Sequence, residues 1–238
     1  MKNILIVIAL LFAKNAFSQV QFISGGRITY ERKINMWASI KGEYADQFKK
    51  AVPQFKTDNF VLEFTPQKSL YSIQTATAKT MFFNLPSADN IVFTDFVKDE
   101  KVTAKNIFEK SYLITDSLRN AKWKIKDDFR EIAGFNCRRA TTIIMDSVFV
   151  IAFYTDEITV PGGPESFCGL PGMIMGLVIN RVHTTWYATK VELNADEKKI
   201  QPPVKGTKIT MQEVQNQLEK SLKNWGAEAD MLKWMISL

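Results

Sequence analysis

The feature that most constrains the fold is a series of short segments rich in β-branched and aromatic residues, separated by turn-forming residues. These segments span residues 28–34, 60–65, 69–73, 80–84, 90–96, 122–125, 135–145, 147–155, 175–182 and 184–193. Strands at such short spacing are typical of sheets whose neighbours run antiparallel. We therefore predict a mainly β protein with a curved antiparallel sheet or a partial β-barrel.

Two segments interrupt the strand pattern and predict helices. Residues 41–50, which precede Pro53, predict a short helix. Residues 211–225 predict a C-terminal helix, because Thr210 and Glu213 match a capping box and apolar residues follow at helical spacing. We expect that apolar stripe to pack against the sheet. Residues 231–236 are compatible with a last strand or with a second short helix.

The N-terminus predicts export. Residues 1–18 carry one early lysine, then ten apolar residues, then small residues before Gln19, the pattern of a cleavable signal peptide. Ten apolar residues are too few for a helix that crosses a membrane, since about 20 are needed. The length predicts a single β domain over residues 19–238, with a helical tail over about 204–238. We expect a soluble periplasmic or extracellular protein.

The charge and the scarcity of metal-binding side chains exclude several classes of function. Removing Lys2 and Lys14 with the signal peptide lowers the formal charge from +6 to +4, and the remaining basic residues form scattered pairs. Nucleic-acid binding is therefore not expected. One His and two Cys cannot build a four-ligand zinc site. We predict no cofactor and no catalytic residues.

A loop rich in glycine and proline spans residues 161–176. Glycine permits close backbone approach and proline restricts the chain, so the loop should follow a compact, irregular path. Two interpretations stay open: a structural loop that closes the sheet, or a ligand-binding loop. The candidate binding residues are those of the two glycine-rich turns and their apolar neighbours: Gly162, Gly163, Pro164, Phe167, Gly169, Leu170, Pro171, Gly172 and Met173.

The loop and two further segments resemble a known family. The string at 168–174, together with residues 154–158 before it, Gly163 and Pro164, resembles the signature of the GLPGLI family. Residues 122–125, 134–140 and 25–35 are similar to further stretches of that family. The resemblance implies a secreted protein of Bacteroidetes without an established activity, and it supplies no catalytic residue.

The two cysteines permit several interpretations. An even count in an exported protein favours a disulfide between Cys137 and Cys168, and two buried thiols are the next alternative. Cys168, Met173, Met175 and His183 would instead suit copper, since thiolate, thioether and imidazole bind soft metals. A Cys168–His183 nucleophile pair, oriented by Asp156, would make a Cys-dependent hydrolase.

The leading functional prediction is an exported, non-enzymatic binding or accessory protein of the cell envelope. Its partner would be an apolar small molecule in the concave face of the sheet, or a cell-envelope protein. The alternatives are the copper-handling protein and the Cys-dependent hydrolase. Each depends on the state and surroundings of the same few side chains around Cys168.

Overall fold

A computed structural model describes residues 22–75, 88–107, 110–118 and 121–238. The predicted signal peptide and the predicted strand at 80–84 lie outside these ranges. Within them, twelve strands form one sheet: β1 Gly26–Asn35, β2 Phe55–Phe64, β3 Lys68–Thr75, β4 Ile91–Asp95, β5 Glu100–Ile107, β6 Lys110–Ser117, β7 Lys124–Ile132, β8 Phe135–Ile144, β9 Val148–Thr155, β10 Met173–Ile179, β11 Thr184–Glu192 and β12 Thr207–Ile209.

The strand order is β12-β6-β5-β4-β3-β2-β1-β11-β10-β9-β8-β7, and the sheet is not closed. Neighbouring strands are antiparallel except for β12, which pairs in parallel with β6. Short hairpins produce most neighbours, whereas the β1–β11 pairing joins the two halves of the chain. The mainly β prediction is therefore confirmed, with one parallel pair at the edge.

The sheet curls strongly at its β7 end. Arg130 of β7 donates a hydrogen bond from Nη1 to the Tyr187 hydroxyl of β11, 3.1 Å away, although three strands separate β7 from β11 in the order. Gly176 of β10 lies beneath this contact, where a Cβ atom would come within 3.0 Å of the Ile132 and Tyr187 side chains. The missing side chain lets the edge strand fold over the sheet.

In the described part of the chain, three α-helices accompany the sheet: α1 Ala45–Ala51, α2 Met211–Ser221 and α3 Ala227–Ser237. The predicted capping box is present, since Thr210 and Glu213 each accept from the other's backbone N–H. Helix α2 ends four residues earlier than predicted, and Trp225 lies exposed beyond it. The ambiguous segment at 231–236 is helical. None of the described helices is both long and apolar enough to cross a membrane.

The main core lies on one face of the sheet. It joins residues of β1–β4 and β7–β11 to the segment between β9 and β10, through Ile158, Val160, Phe167 and Leu170. A hydrogen bond of 2.7 Å from the Tyr30 hydroxyl to the Ile174 carbonyl ties β1 to β10 within this core. A second cluster joins α2 and α3 to β5 and β6, as predicted for the helical stripe.

The sequence did not predict β5 and β6. Strand β5 buries Lys101 and Lys105 among its apolar residues, which obscures the alternation that identifies a strand. Lys105 donates from Nζ to the Ile236 carbonyl, 2.7 Å away, so α3 supplies a partner for a charge inside the fold.

Candidate functional site

Charged side chains meet inside the fold at Arg32. This arginine follows Ile28 and Tyr30 on the buried face of β1. Its Nη2 atom donates to Asp58 Oδ2 and to the Ala88 carbonyl, each at 2.7 Å. Asp58 is its direct neighbour on β2, so the sheet register brings the two charges together. The Arg32 side chain is 5% exposed and that of Asp58 is fully buried, so water screens this pair little.

A second carboxylate reaches Arg32 from the loop between β9 and β10. Glu165 Oε1 lies 3.9 Å from Arg32 Nη1, and Glu165 Oε2 accepts from Asn90 Nδ2 at 3.0 Å. Glu165 is buried and has a φ of +56°, a conformation that is rare for a residue with a side chain. Lys56 Nζ approaches Asp58 at 3.6 Å, so two cations face two anions.

A cavity of about 30 Å³ adjoins these side chains. Arg32, Asn90, Glu165 and Trp186 form its polar walls, and Met235 is part of an apolar wall on the side of α3. Its volume suits one or two water molecules. We call Arg32, Asp58, Asn90, Glu165 and Trp186 the polar centre.

Two buried atoms at the polar centre, Arg32 Nε and Asn90 Oδ1, have no hydrogen-bond partner among the described residues. The Trp186 indole interacts with the neighbouring Tyr71 hydroxyl through a side-chain hydrogen bond of poor geometry. Burial and the Glu165 charge raise the pKa of Tyr71 well above its usual 10, while the Arg32 charge and the hydrogen bond with the Trp186 indole act in the opposite direction. Tyr71 is therefore a neutral phenol next to the charged groups.

The glycine-rich loop packs into the core. Gly163 is in close contact with Ile174, since a Cβ atom there would lie 2.7 Å from the Ile174 Cβ. Phe167, Leu170 and Met173 are buried in the main cluster, and only Gly169 and Pro171 of the nine predicted binding residues are exposed. The concave face is thus filled by the loop where we expected an apolar ligand. The assignment of the nine residues to a binding site stays a prediction.

Cys137 and Cys168 do not form the predicted disulfide. Both are buried thiols. Cys137 Sγ donates to the Phe135 carbonyl at 3.4 Å, and burial raises the pKa of its thiol to about 12. Cys168 accepts at its backbone carbonyl from Trp123 Nε1, 2.9 Å away. Each cysteine is accommodated by core packing, which is the alternative of two buried thiols.

The two methionines among the predicted copper ligands are part of the hydrophobic core. Met173 and Met175 are both fully buried in the main cluster, where β10 contains a bulge between Ile174 and Gly176. His183 lies at the turn before β11, where burial and Lys41 lower its pKa. Among the described residues, no group of three or more His, Cys, Asp or Glu could hold a metal ion.

Sequence reasoning missed the polar centre, although one signal was available. Arg32 has the same strand parity as Ile28, Tyr30 and Ile34, which predicts a charge on the buried face. Glu165 lies within the loop that the sequence identified, but the sequence patterns predicted no role for its carboxylate. Asp58, Asn90 and Trp186 lie far apart in sequence, and only the sheet brings them together.

Comparisons with known proteins identify a matching family and two structures with a similar fold. Residues 49–218 match the family described as "N-glycanase peptide, N-terminal domain". Two crystal structures of PNGF-II, in space groups C2 and P21, share the fold with TM-scores of 0.53 and 0.52 at 16% and 17% identity. Each alignment covers 83% of this chain but only 33% and 34% of PNGF-II, so the chain spans about a third of those proteins. No curated protein matches.

These matches correct the functional predictions. The GLPGLI resemblance is wrong, because the family that matches is a different one. The non-enzymatic binding or accessory protein is wrong as well, and so are its copper-handling and Cys-dependent alternatives, since the family match and the shared fold point to N-glycanases. The match covers more than two thirds of the sequence, and the chain belongs to the family of N-glycanase peptide N-terminal domains.

Proposed function

We propose that this protein acts on N-linked glycoproteins, in the hydrolytic removal of the Asn-linked glycan. The observation that carries the proposal is the family match, which runs from α1 into α2 and contains eleven of the twelve strands. The chain corresponds to about a third of PNGF-II, so the proposal has two forms. In the more demanding form, this chain alone cleaves the glycan. Recognition of the glycopeptide, with cleavage completed by further parts of an N-glycanase, is the weaker form.

The polar centre has groups suited to amide hydrolysis. Such a reaction needs a group that transfers protons and a donor that stabilises the developing oxyanion. Glu165 and Asp58 are carboxylates, and Arg32 lies between them as the cation. The adjacent cavity has room for water, the second substrate of hydrolysis, but not for a sugar ring. We therefore propose that the sugar contacts the protein outside this cavity.

We also propose that the protein is exported by the signal peptide at residues 1–18. Asn-linked glycans occur on surface loops of secreted proteins, so export would bring the enzyme to such substrates. A mature N-terminus at Gln19, found by mass spectrometry of protein from the cell exterior or periplasm, is the expected result. An intact Met1 on protein retained in the cytoplasm would contradict export.

The activity is tested with a fluorescent N-glycopeptide and the full chain. Water adds across the amide, so the products are a glycosylamine and a peptide with Asp in place of the glycosylated Asn. We expect this product, and a large loss of rate in Glu165→Gln, with the unglycosylated peptide as the binding control. Selective binding without cleavage would support the weaker form. Neither cleavage nor preference for the glycosylated peptide would overturn the proposal.

A further inference from the structure

A second cavity lies between helices α2 and α3 and the turn that joins β8 to β9, and we call it the helix cavity. Its volume is about 190 Å³, about six times that of the cavity at the polar centre. Sites for drug-sized ligands measure about 300–1,000 Å³, so the helix cavity suits a ligand of a single ring. Glu219, one of its lining residues, is exposed, so a ligand can enter from solvent.

The apolar part of the helix cavity consists of Leu218 from α2, Trp234 from α3 and Met145 from the turn. The Trp234 indole packs against Arg181, whose guanidinium carbon lies 4.5 Å from the ring centroid. An indole combines a flat apolar ring with a polar N–H group. It therefore suits a ligand that has both an apolar face and a polar edge.

The turn at Met145 is a second, independent observation. Met145 and Asp146 have φ values of +48° and +58°. Two successive left-handed residues in a hairpin turn favour Asn and Gly, so the long side chain of Met145 opposes the backbone conformation. Strained residues of this kind cluster at ligand-binding sites. Here the strain keeps a methionine in the wall of the helix cavity.

The polar part of the helix cavity contains Gln215, Glu219 and Lys233. Within the described ranges, none of these three side chains has a hydrogen bond or an ion pair with another residue. The carboxylate accepts hydrogen bonds, the ammonium group donates them and the amide does both. One negative and one positive charge leave the lining neutral. The lining therefore matches a neutral ligand with several hydroxyl groups, since each hydroxyl both donates and accepts.

Other ligand classes match this lining less well. A purely apolar ligand would cover Glu219 and Lys233 without giving them partners, which is unfavourable for charged groups. A phosphate or a carboxylate would meet the negative charge of Glu219, and a cation would meet the positive charge of Lys233. A branched glycan exceeds the volume, whereas one of its rings does not.

We propose that the helix cavity binds one neutral sugar ring of the glycoprotein substrate. This inference rests on the proposed action on N-linked glycoproteins, and it supplies a sugar contact that the cavity at the polar centre is too small to make. Trp234 and Met235 are successive residues of α3; Trp234 lines the helix cavity, and Met235 lines the cavity at the polar centre. The two cavities are therefore neighbours at the last turn of α3.

The test measures the binding of N-acetylglucosamine and of the fluorescent N-glycopeptide to the full chain. In nuclear magnetic resonance titrations we expect a saturable shift of the Trp234 indole resonance with the free sugar, and Trp234→Phe identifies that resonance by its loss. Trp234→Ala should weaken the preference for the glycosylated peptide about tenfold. Glu219→Ala should weaken it about threefold, and this variant should fold normally because Glu219 is exposed. Trp225→Ala is the matched control, since Trp225 is 52% exposed and does not line the cavity.

The outcomes separate the sugar site from the proposed function. If Trp234→Ala and Glu219→Ala cleave or bind the glycopeptide as the wild type does, the sugar site is wrong and the proposed function stands. Binding of the free sugar at Trp234, without any preference for the glycosylated peptide, would support the sugar site and overturn the proposed function. If the wild type binds neither the sugar nor the glycopeptide, both proposals are wrong.

Discussion

The two buried regions of this protein, the glycine-rich loop and the polar centre, are stabilised by opposite kinds of interaction. The loop places Phe167, Leu170 and Met173 in an apolar cluster, where shape complementarity is the main requirement. The polar centre buries Arg32 with two carboxylates, where each charge needs a partner.

The difference shows where evidence about function is to be found. Apolar packing explains why the loop is compact, but it would look the same in a protein of any function. Buried charges contribute little net stability compared with apolar residues, so their presence calls for a specific reason. Glu165 links the regions, because its backbone belongs to the loop and its carboxylate to the polar centre.

The largest expected effect is at Asp58. Asp58→Ala leaves the Arg32 guanidinium buried without its closest anion, and breaking a buried ion pair costs about 3–5 kcal/mol. The matched control is Asp127→Ala, since Asp127 also pairs with an arginine on the next strand but is 93% exposed at its side chain. We expect a loss of about 0–1 kcal/mol there.

Urea unfolding of both variants measures this contrast. Equal free energies of unfolding for the two variants would show that burial does not distinguish the polar centre from a surface ion pair.

The second prediction tests the loop. Gly172 has a φ of +144°, and a Cβ atom there would lie 2.0 Å from the Thr155 carbonyl oxygen. Gly172→Ala combines backbone strain with overlap against rigid backbone, so we expect a loss of about 3 kcal/mol. Gly134→Ala is the control, since Gly134 has a φ of +85° but open space around it. Its loss should be about 1 kcal/mol.

Thermal unfolding of the two glycine variants separates crowding from backbone strain. A Gly172→Ala variant as stable as Gly134→Ala would mean that the loop moves away from β9 without a penalty.

Sequence patterns predicted the apolar part of the fold and failed at its polar part. Partial alternation identified β1, and apolar runs rich in β-branched and aromatic residues identified β8 and β9. It missed β5, where Lys101 and Lys105 occupy buried positions. Local patterns also predicted the helix cap at Thr210, since a cap depends on residues only three apart.

The candidate site could not be predicted in the same way. Asp58 and Trp186 meet Arg32 through strand pairings between residues far apart in sequence, and Asn90 joins them through its hydrogen bond to Glu165. Cysteine count favoured a disulfide, but count says nothing about the distance or orientation that a disulfide requires. The loop attracted attention through its glycines, whereas its one buried charge, Glu165, is the residue that reaches the polar centre.

The third prediction concerns the thiols on the apolar side of the comparison. In denaturant without reductant, a thiol reagent should find two reactive thiols per chain. In the folded protein both should react slowly, because they are buried and the pKa of Cys137 is raised to about 12. At about pH 8 only about one part in ten thousand of such a thiol is thiolate. If no thiol reacts in denaturant, Cys137 and Cys168 form a disulfide and the prediction of two thiols is wrong.

The smallest expected effect is at His183, between the cavity residues Val182 and Thr184. Burial and Lys41 lower its folded pKa below 6.5, so the unfolded chain binds the proton more readily. Stability should therefore be constant with respect to this group above about pH 6.5 and fall as the pH drops through the folded pKa. His183→Asn removes the titration and suits the φ of +52°, since Asn tolerates left-handed backbone. The difference in unfolding free energy between variant and wild type should grow in favour of the variant from about pH 7.5 to about pH 5. A difference that stays constant with pH would show that protonation of His183 does not change the free energy of unfolding.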